Sequence, residues 1–125
     1  FLIMESTYGD REHKSLGEAT RKLRQVINES YRGGGKVLVP SFAVGRTQEL
    51  VYALHRLSDA RKIPQLPIFV DSPLAVNVTE VFRLHPDAYN DDVRKFMASD
   101  KHHHSPFGFD QLTYVRKVQA SKELN

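Results

Sequence analysis

Three short runs of strand-forming residues each pass into a turn and then into a stretch whose apolar residues recur at helical spacing. The runs are Phe1-Leu2-Ile3-Met4, Lys36-Val37-Leu38-Val39 and Ile68-Phe69-Val70. A continuous apolar run, rather than a strict alternation, marks a strand buried on both faces. Helices lying between such strands act as crossovers, and crossovers make neighbouring strands parallel. The pattern restricts the chain to the α/β class. It predicts a three-layer α/β/α fold with a mainly parallel, Rossmann-like sheet.

The helices can be placed by periodicity and by their end signals. Leu16, Leu23, Val26, Ile27 and Tyr31 predict an amphipathic helix over 16–31, and Gly33-Gly34-Gly35 supplies its stop. After the turn Pro40-Ser41-Phe42-Ala43, a second helix is marked by Val44, Thr47, Leu50, Val51, Leu54 and Leu57. Ser72 suits the N-cap of a third helix and Pro73 its first position. Leu74, Val78, Val81 and Phe82 are its expected apolar face, and His85-Pro86 ends it. A fourth helix is expected over 88–97, a loop over 101–109, a fourth strand over 112–115, and a short helix at the end of the chain. The 125 residues fit one domain. The opening reads as a strand already in progress, so residues 1–125 are expected to be a single domain excised from a longer protein.

Composition narrows the chemistry. With no Cys, the chain has no disulfide, no thiolate metal site and no thiol nucleophile. No apolar run approaches the roughly 20 residues that span a bilayer, and no signal peptide is visible. The expected setting is cytoplasmic, away from membranes. Lys and Arg total 18 against 15 Asp and Glu. This mild excess permits an anionic partner without demanding one.

Ligands of parallel sheets bind outside the carboxyl ends of the strands. Glu5-Ser6-Thr7 follows the first run, Ser41 the second and Asp71-Ser72 the third. The second and third runs lead at once into helix N-termini, whose unpaired N–H groups favour anions. Arg46 falls in the first turn of the second helix, where a positive charge opposes the helix dipole. It either points to solvent or pairs with an acid, or it joins Ser41 in holding a phosphate through its planar fork. Glu5 can be a plain loop acid or part of a site, and Asp71 fits a capping or turn role. Gly33-Gly34-Gly35-Lys36 precedes a strand and lacks the spacing of a phosphate loop. His13 has no second His at metalloprotease spacing. His102-His103-His104 reads as a solvent-exposed loop, since adjacent His side chains diverge. The chain thus shows no metal site of its own.

Three stretches in order resemble one family. They are Glu5-Ser6-Thr7-Tyr8-Gly9-Asp10-Arg11, then 34–50 with Pro40-Ser41-Phe42-Ala43-Val44-Gly45-Arg46-Thr47-Gln48-Glu49-Leu50 at its heart, then Pro67-Ile68-Phe69-Val70-Asp71-Ser72-Pro73-Leu74-Ala75. Ser121-Lys122-Glu123-Leu124-Asn125 continues the match. Together they resemble the β-CASP domain of metallo-β-lactamase-fold RNA-processing nucleases, of the bacterial and archaeal kind similar to the eukaryotic pre-mRNA 3′-end-processing endonuclease subunit.

The resemblance implies a cap domain that forms one wall of an RNA cleft. The body beneath it, a metallo-β-lactamase domain, would bind two zinc ions and hydrolyse phosphodiester bonds. It implies that Glu5 supports a metal-site His from outside these residues, and that Ser41, Arg46 and Ser72 face RNA. The His-x-His-x-Asp-His motif of that body is absent here, so residues 1–125 alone are expected to bind no zinc and to be inactive. RNA and the metallo-β-lactamase domain are the implied partners, and a homodimer of the parent is compatible. A noncatalytic binding or assembly module, a DNA-processing relative and an unrelated nucleotide binder are the competing readings. The residues do not decide between endonuclease and exonuclease action.

Overall fold

The computed structural model describes residues 1–100 and 105–124. His102-His103-His104 lies outside the described residues. Five α-helices and two strands are seen among those described: α1 Leu16–Arg32, α2 Arg46–Asp59, β1 Ile68–Asp71, α3 Pro73–Leu84, α4 Asp91–Ser99, β2 Leu112–Val115 and α5 Val118–Lys122. A 3-10 turn, Pro86–Ala88, follows α3.

The chain is α/β with parallel pairing, as the crossover argument requires. β1 and β2 run parallel in the register Ile68↔Leu112 to Asp71↔Val115. The crossover between them runs through α3 and α4, and α3 packs on both strands.

The first two expected strands differ from this. Residues 1–4 and 36–39 form no ladder. The side chains of Phe1, Leu2, Ile3 and Met4 are 71% to 130% exposed, and Val37, Leu38 and Val39 are exposed as well. An apolar run states that a segment prefers burial, but a strand also needs a neighbour to receive its N–H and C=O groups. No such neighbour stands beside these runs among the described residues, and the sheet there has two strands. The chain accordingly exposes 9832 Å². Surface scaling for its 14.3 kDa gives about 6,800 Å².

The helix ends follow their capping chemistry. The Ser15 hydroxyl accepts from Glu18 N–H while the Glu18 carboxylate accepts from Ser15 N–H at 3.0 Å, which starts α1 at Leu16. At the other end Gly34 takes φ +66°. Gly35 N–H then reaches Ser30 O at 2.9 Å and Gly34 N–H reaches Tyr31 O at 3.2 Å, the paired bonds that close a helix C-terminus. Ser72 caps α3 and Pro73 is its first residue. The buried face of α3 is Ala75, Val76 and Thr79, whereas Leu74 and Val81 are exposed. Of the expected face, Phe82 packs against the core and Val78 is half-buried, so the buried face is turned by about one residue toward Ala75.

The core joins α1, α2, β1, α3 and the segment before β2. Ile27, Val51, Leu54, Leu57, Val70, Ala75, Phe107 and Phe109 form one cluster. Tyr89 and Tyr114 pack against it, and their hydroxyls donate to Phe82 O at 3.0 Å and Phe107 O at 2.7 Å. Burial raises the pKa of Tyr52, Tyr89 and Tyr114 above the ordinary phenol value. A raised folded-state pKa means that the folded protein holds these protons more tightly. The stabilisation is complete below about pH 10 and is lost as pH climbs through the folded values. Phenolate absorbance and melting temperature, followed together from pH 9 to 12, should show these three tyrosines ionising as the fold is lost. Their full ionisation with no change in melting temperature would contradict this.

Candidate functional site

The N-terminal turns of α2 and α3 are fastened to each other. Gly45 takes φ +77°, which folds the Ser41–Val44 turn back on α2 and brings Arg46 N–H to Val44 O at 2.9 Å. The Thr47 hydroxyl donates to Phe42 O at 2.7 Å and lies 3.3 Å from Ser41 Oγ. Gln48, 2% exposed, sends its amide nitrogen to Thr79 Oγ1 at 2.9 Å, to Ala43 O at 3.2 Å and to Ala75 O at 3.5 Å. One side chain thus ties the turn before α2 to the first turns of α3. Ser72 Oγ accepts from Ala75 N–H at 3.2 Å.

Ser41 lies beside Thr47 in the turn before α2, Arg46 opens α2 and Ser72 caps α3, the two helices that Gln48 ties together. Ser41 and Arg46 are exposed and Ser72 is half-buried. Arg46 pairs with Glu49 at 2.8 Å, with both side chains largely in solvent. An exposed pair of this kind is worth about 0–1 kcal/mol, so a phosphate could displace Glu49 at little cost. At the carboxyl end of β1 the Asp71 carboxylate accepts from the Ser121 hydroxyl at 2.7 Å. This bond places α5 beside the same strand end and gives Asp71 a structural partner.

Glu5 stands apart in its contacts. Its carboxylate accepts from Thr7 N–H, on the turn closed by Gly9 N–H to Ser6 O at 3.0 Å. Hydrogen bonds from the Thr7 side chain and backbone hold the Glu5 carboxyl below the usual carboxylate range. Among the described residues no hydrogen bond or ion pair links Glu5 to Ser41, Arg46 or Ser72.

Sequence reasoning missed Gln48 as the tie between the helices. A signal was available: Thr47, Gln48 and His55 are polar residues in step with Val51 and Leu54 on the buried face of α2. Buried polar groups at such positions must have partners. Among the described residues, no group of three or more His, Asp or Glu side chains could hold a metal ion. His13 instead meets the edge of the Tyr8 ring at 5.1 Å.

Comparison with known proteins agrees with the family resemblance read from the sequence. The sequence profile described as the Beta-Casp domain matches residues 47–125. The chain is 34% identical over 124 residues to Ribonuclease TTHA0252 of Thermus thermophilus, covering 99% of this chain and 28% of that protein. It is 36% identical over 127 residues to Endoribonuclease YSH1 of Saccharomyces cerevisiae, covering 98% of this chain and 16% of that protein. It is 28% identical over 124 residues to Cleavage and polyadenylation specificity factor 73 of Drosophila melanogaster, covering 98% and 18%. The chain thus spans between about one sixth and just over a quarter of the length of these relatives. Ser72 lies inside the profile match, whereas Glu5, Ser41 and Arg46 precede it and fall in the stretch shared with the full-length relatives.

Proposed function

The chain belongs to the β-CASP family, and from that membership we propose that it is the RNA-gripping cap of a zinc-dependent ribonuclease. The observation that carries this reading is the pairing of the α2 and α3 N-terminal turns through Gln48. With Ser41, Arg46 and Ser72 around it, the pair forms a rim suited to the phosphodiester backbone. Helix-end N–H groups, hydroxyls and a guanidinium fork are the groups that hold phosphates.

The described residues offer no ligand set for zinc. In this reading the two zinc ions and the bond-breaking step belong to a metallo-β-lactamase domain of the same parent, in a cytoplasmic enzyme. The exposed apolar side chains of 1–4 and 37–39 are the surface such a neighbour would cover. Glu5, exposed and held ionised by Thr7, has the chemistry to accept a hydrogen bond from a metal-ligating His of that body. Residues 1–125 alone then bind RNA weakly and cleave nothing.

The test is Arg46→Ala in the intact protein. RNA affinity should fall about tenfold, as for a charged hydrogen bond worth roughly 1.5 kcal/mol. The slope of log affinity against log salt should become shallower by about 0.7, one phosphate contact on a single strand. Unchanged affinity and slope would remove Arg46 from the RNA surface, and an intact protein without RNA affinity would end the reading.

A further inference from the structure

An unassigned positive surface lies at the other end of α2. Arg24, Asn28 and Arg32 follow one another at intervals of four along α1, so they share a face. Together with Gln25, Glu29 and Lys62 they line a shallow groove of about 320 Å³. Asn28 holds the groove together, donating to Arg24 O at 2.8 Å and to Lys62 O at 3.1 Å. Glu29 is the one acid among these lining residues, and its carboxylate accepts from the Gln25 amide at 2.7 Å. Arg24, Arg32 and Lys62 form no ion pair among the described residues. Arg24 and Arg32 therefore stand about 12 Å apart along α1, with Lys62 beside them from the end of α2, and no acid is bound to any of the three.

The backbone beside the groove is built at a cost. Arg61 has φ +51°, the one non-glycine residue with positive φ among those described. Its N–H reaches Ser58 O at 2.9 Å and Lys62 N–H reaches Leu57 O at 2.8 Å. These bonds close α2 in the way that ordinarily uses glycine. An arginine at this position adds a fourth cation next to Lys62, where a glycine would fold with less strain.

We propose that this groove is a second contact for the RNA backbone, separate from the rim at the start of α2. This rests on the reading of the chain as an RNA-binding cap. α2 has 14 residues, so the two surfaces stand about 20 Å apart along it. The lining is wholly polar or charged, with no aromatic or aliphatic anchor of the kind that a protein partner requires. Two guanidinium forks and one ammonium, flanked by side-chain amides, match phosphate oxygens instead. A strand of RNA crossing both ends of α2 would be held at two points, which selects long substrates over short ones.

The experiment compares a trinucleotide and a dodecanucleotide of RNA, using the intact protein and a variant carrying Arg24→Gln, Arg32→Gln and Lys62→Gln. All three positions are exposed, and single substitutions serve if the triple variant melts early. The dodecanucleotide should lose affinity by more than tenfold, with a salt slope shallower by about 2, while trinucleotide affinity is unchanged. An unchanged slope for the dodecanucleotide, with the wild type binding both RNAs, would overturn the groove alone. So would an equal loss for the two RNAs. Failure of the wild type to bind either RNA would overturn the cap reading, and the groove with it.

Discussion

Gln48→Glu lowers the stability of the chain by about 3–5 kcal/mol at neutral pH, and most of that loss disappears at pH 4. The reason is the set of atoms around the side chain. The amide nitrogen faces three acceptors, Thr79 Oγ1, Ala43 O and Ala75 O. The Thr79 hydroxyl already gives its proton to Ala75 O at 2.8 Å, so it has none for a carboxylate. An ionised carboxyl here would be buried against lone pairs. The positive ends of two helices offset part of this, but a helix end contributes about 0.3–1 kcal/mol in ordinary settings, well below the penalty. Burial raises the folded-state pKa of the introduced carboxyl. A raised value means that stability is retained below the unfolded pKa, near 4.3, and is lost as pH rises through the folded value. Denaturant melts of the variant and the wild type, compared at pH 4, 5.5 and 7, read this out directly. Gln48→Met provides the control, with a pH-independent cost of about 1–3 kcal/mol. A Gln48→Glu penalty that stays flat from pH 4 to 7 would show that the side chain reaches solvent. The same variant tests the site, because the α2 and α3 turns separate when this tie is broken, and RNA affinity should fall with stability.

Much of the architecture was legible because local chemistry decided it. The α1 period, the three glycines after it, the Ser72-Pro73 start of α3 and the β1 and β2 runs all agree with the structure. Each depends on residues near in sequence. Residues 1–4 and 36–39 were misjudged because an apolar run does not say what lies beside it. On α3, Phe82 packs on the core as expected, but Leu74 and Val81 look more apolar than Ala75 and Thr79, which are the residues buried there. At the candidate site, the expected starts of α2 and α3 are where the structure has them, with Arg46 opening α2 and Ser72 capping α3, but no strand precedes Ser41. The burial of Gln48 was signalled by its place on the apolar face of α2, but its partners were not, since they lie 27 and 31 positions away. The groove at Arg24, Arg32 and Lys62 was likewise hidden, because it needs α1 laid against the end of α2. Charge totals average such a surface away.

Phe109→Ala is expected to cost about 3–5 kcal/mol, a large share of the 5–15 kcal/mol that a domain of this kind possesses. Phe109 is 6% exposed and lies nearly flat on the His55 ring, with centroids 5.0 Å apart and planes 15° from parallel. Phe96 of α4 meets the same imidazole edge-on at 4.9 Å. The ring is pinned at its own edge: Nδ1 lies 3.1 Å from Pro106 O, and a carbonyl only accepts, so Nδ1 carries the proton. Nε2 lies 3.4 Å from the Asp100 carboxylate. Removing the phenyl ring deletes its own burial, the aromatic pair and one wall around a buried polar group, three losses that add in the same direction. Urea unfolding should show a lower midpoint with an unchanged slope. Phe109→Leu, which keeps most of the volume, should cost less than about 1.5 kcal/mol. The consequence reaches the proposed RNA rim through the chain itself. Phe109 leads directly into β2, β2 pairs with β1, and α5 after it sends Ser121 to Asp71. Loosening Phe109 should therefore weaken RNA binding in proportion to the fraction unfolded, whereas Arg46→Ala should weaken it with no change in melting temperature. A Phe109→Ala variant that melts within 1 kcal/mol of wild type would mean that His55 is held by its polar contacts alone, and that the connector before β2 folds independently of the α2 face.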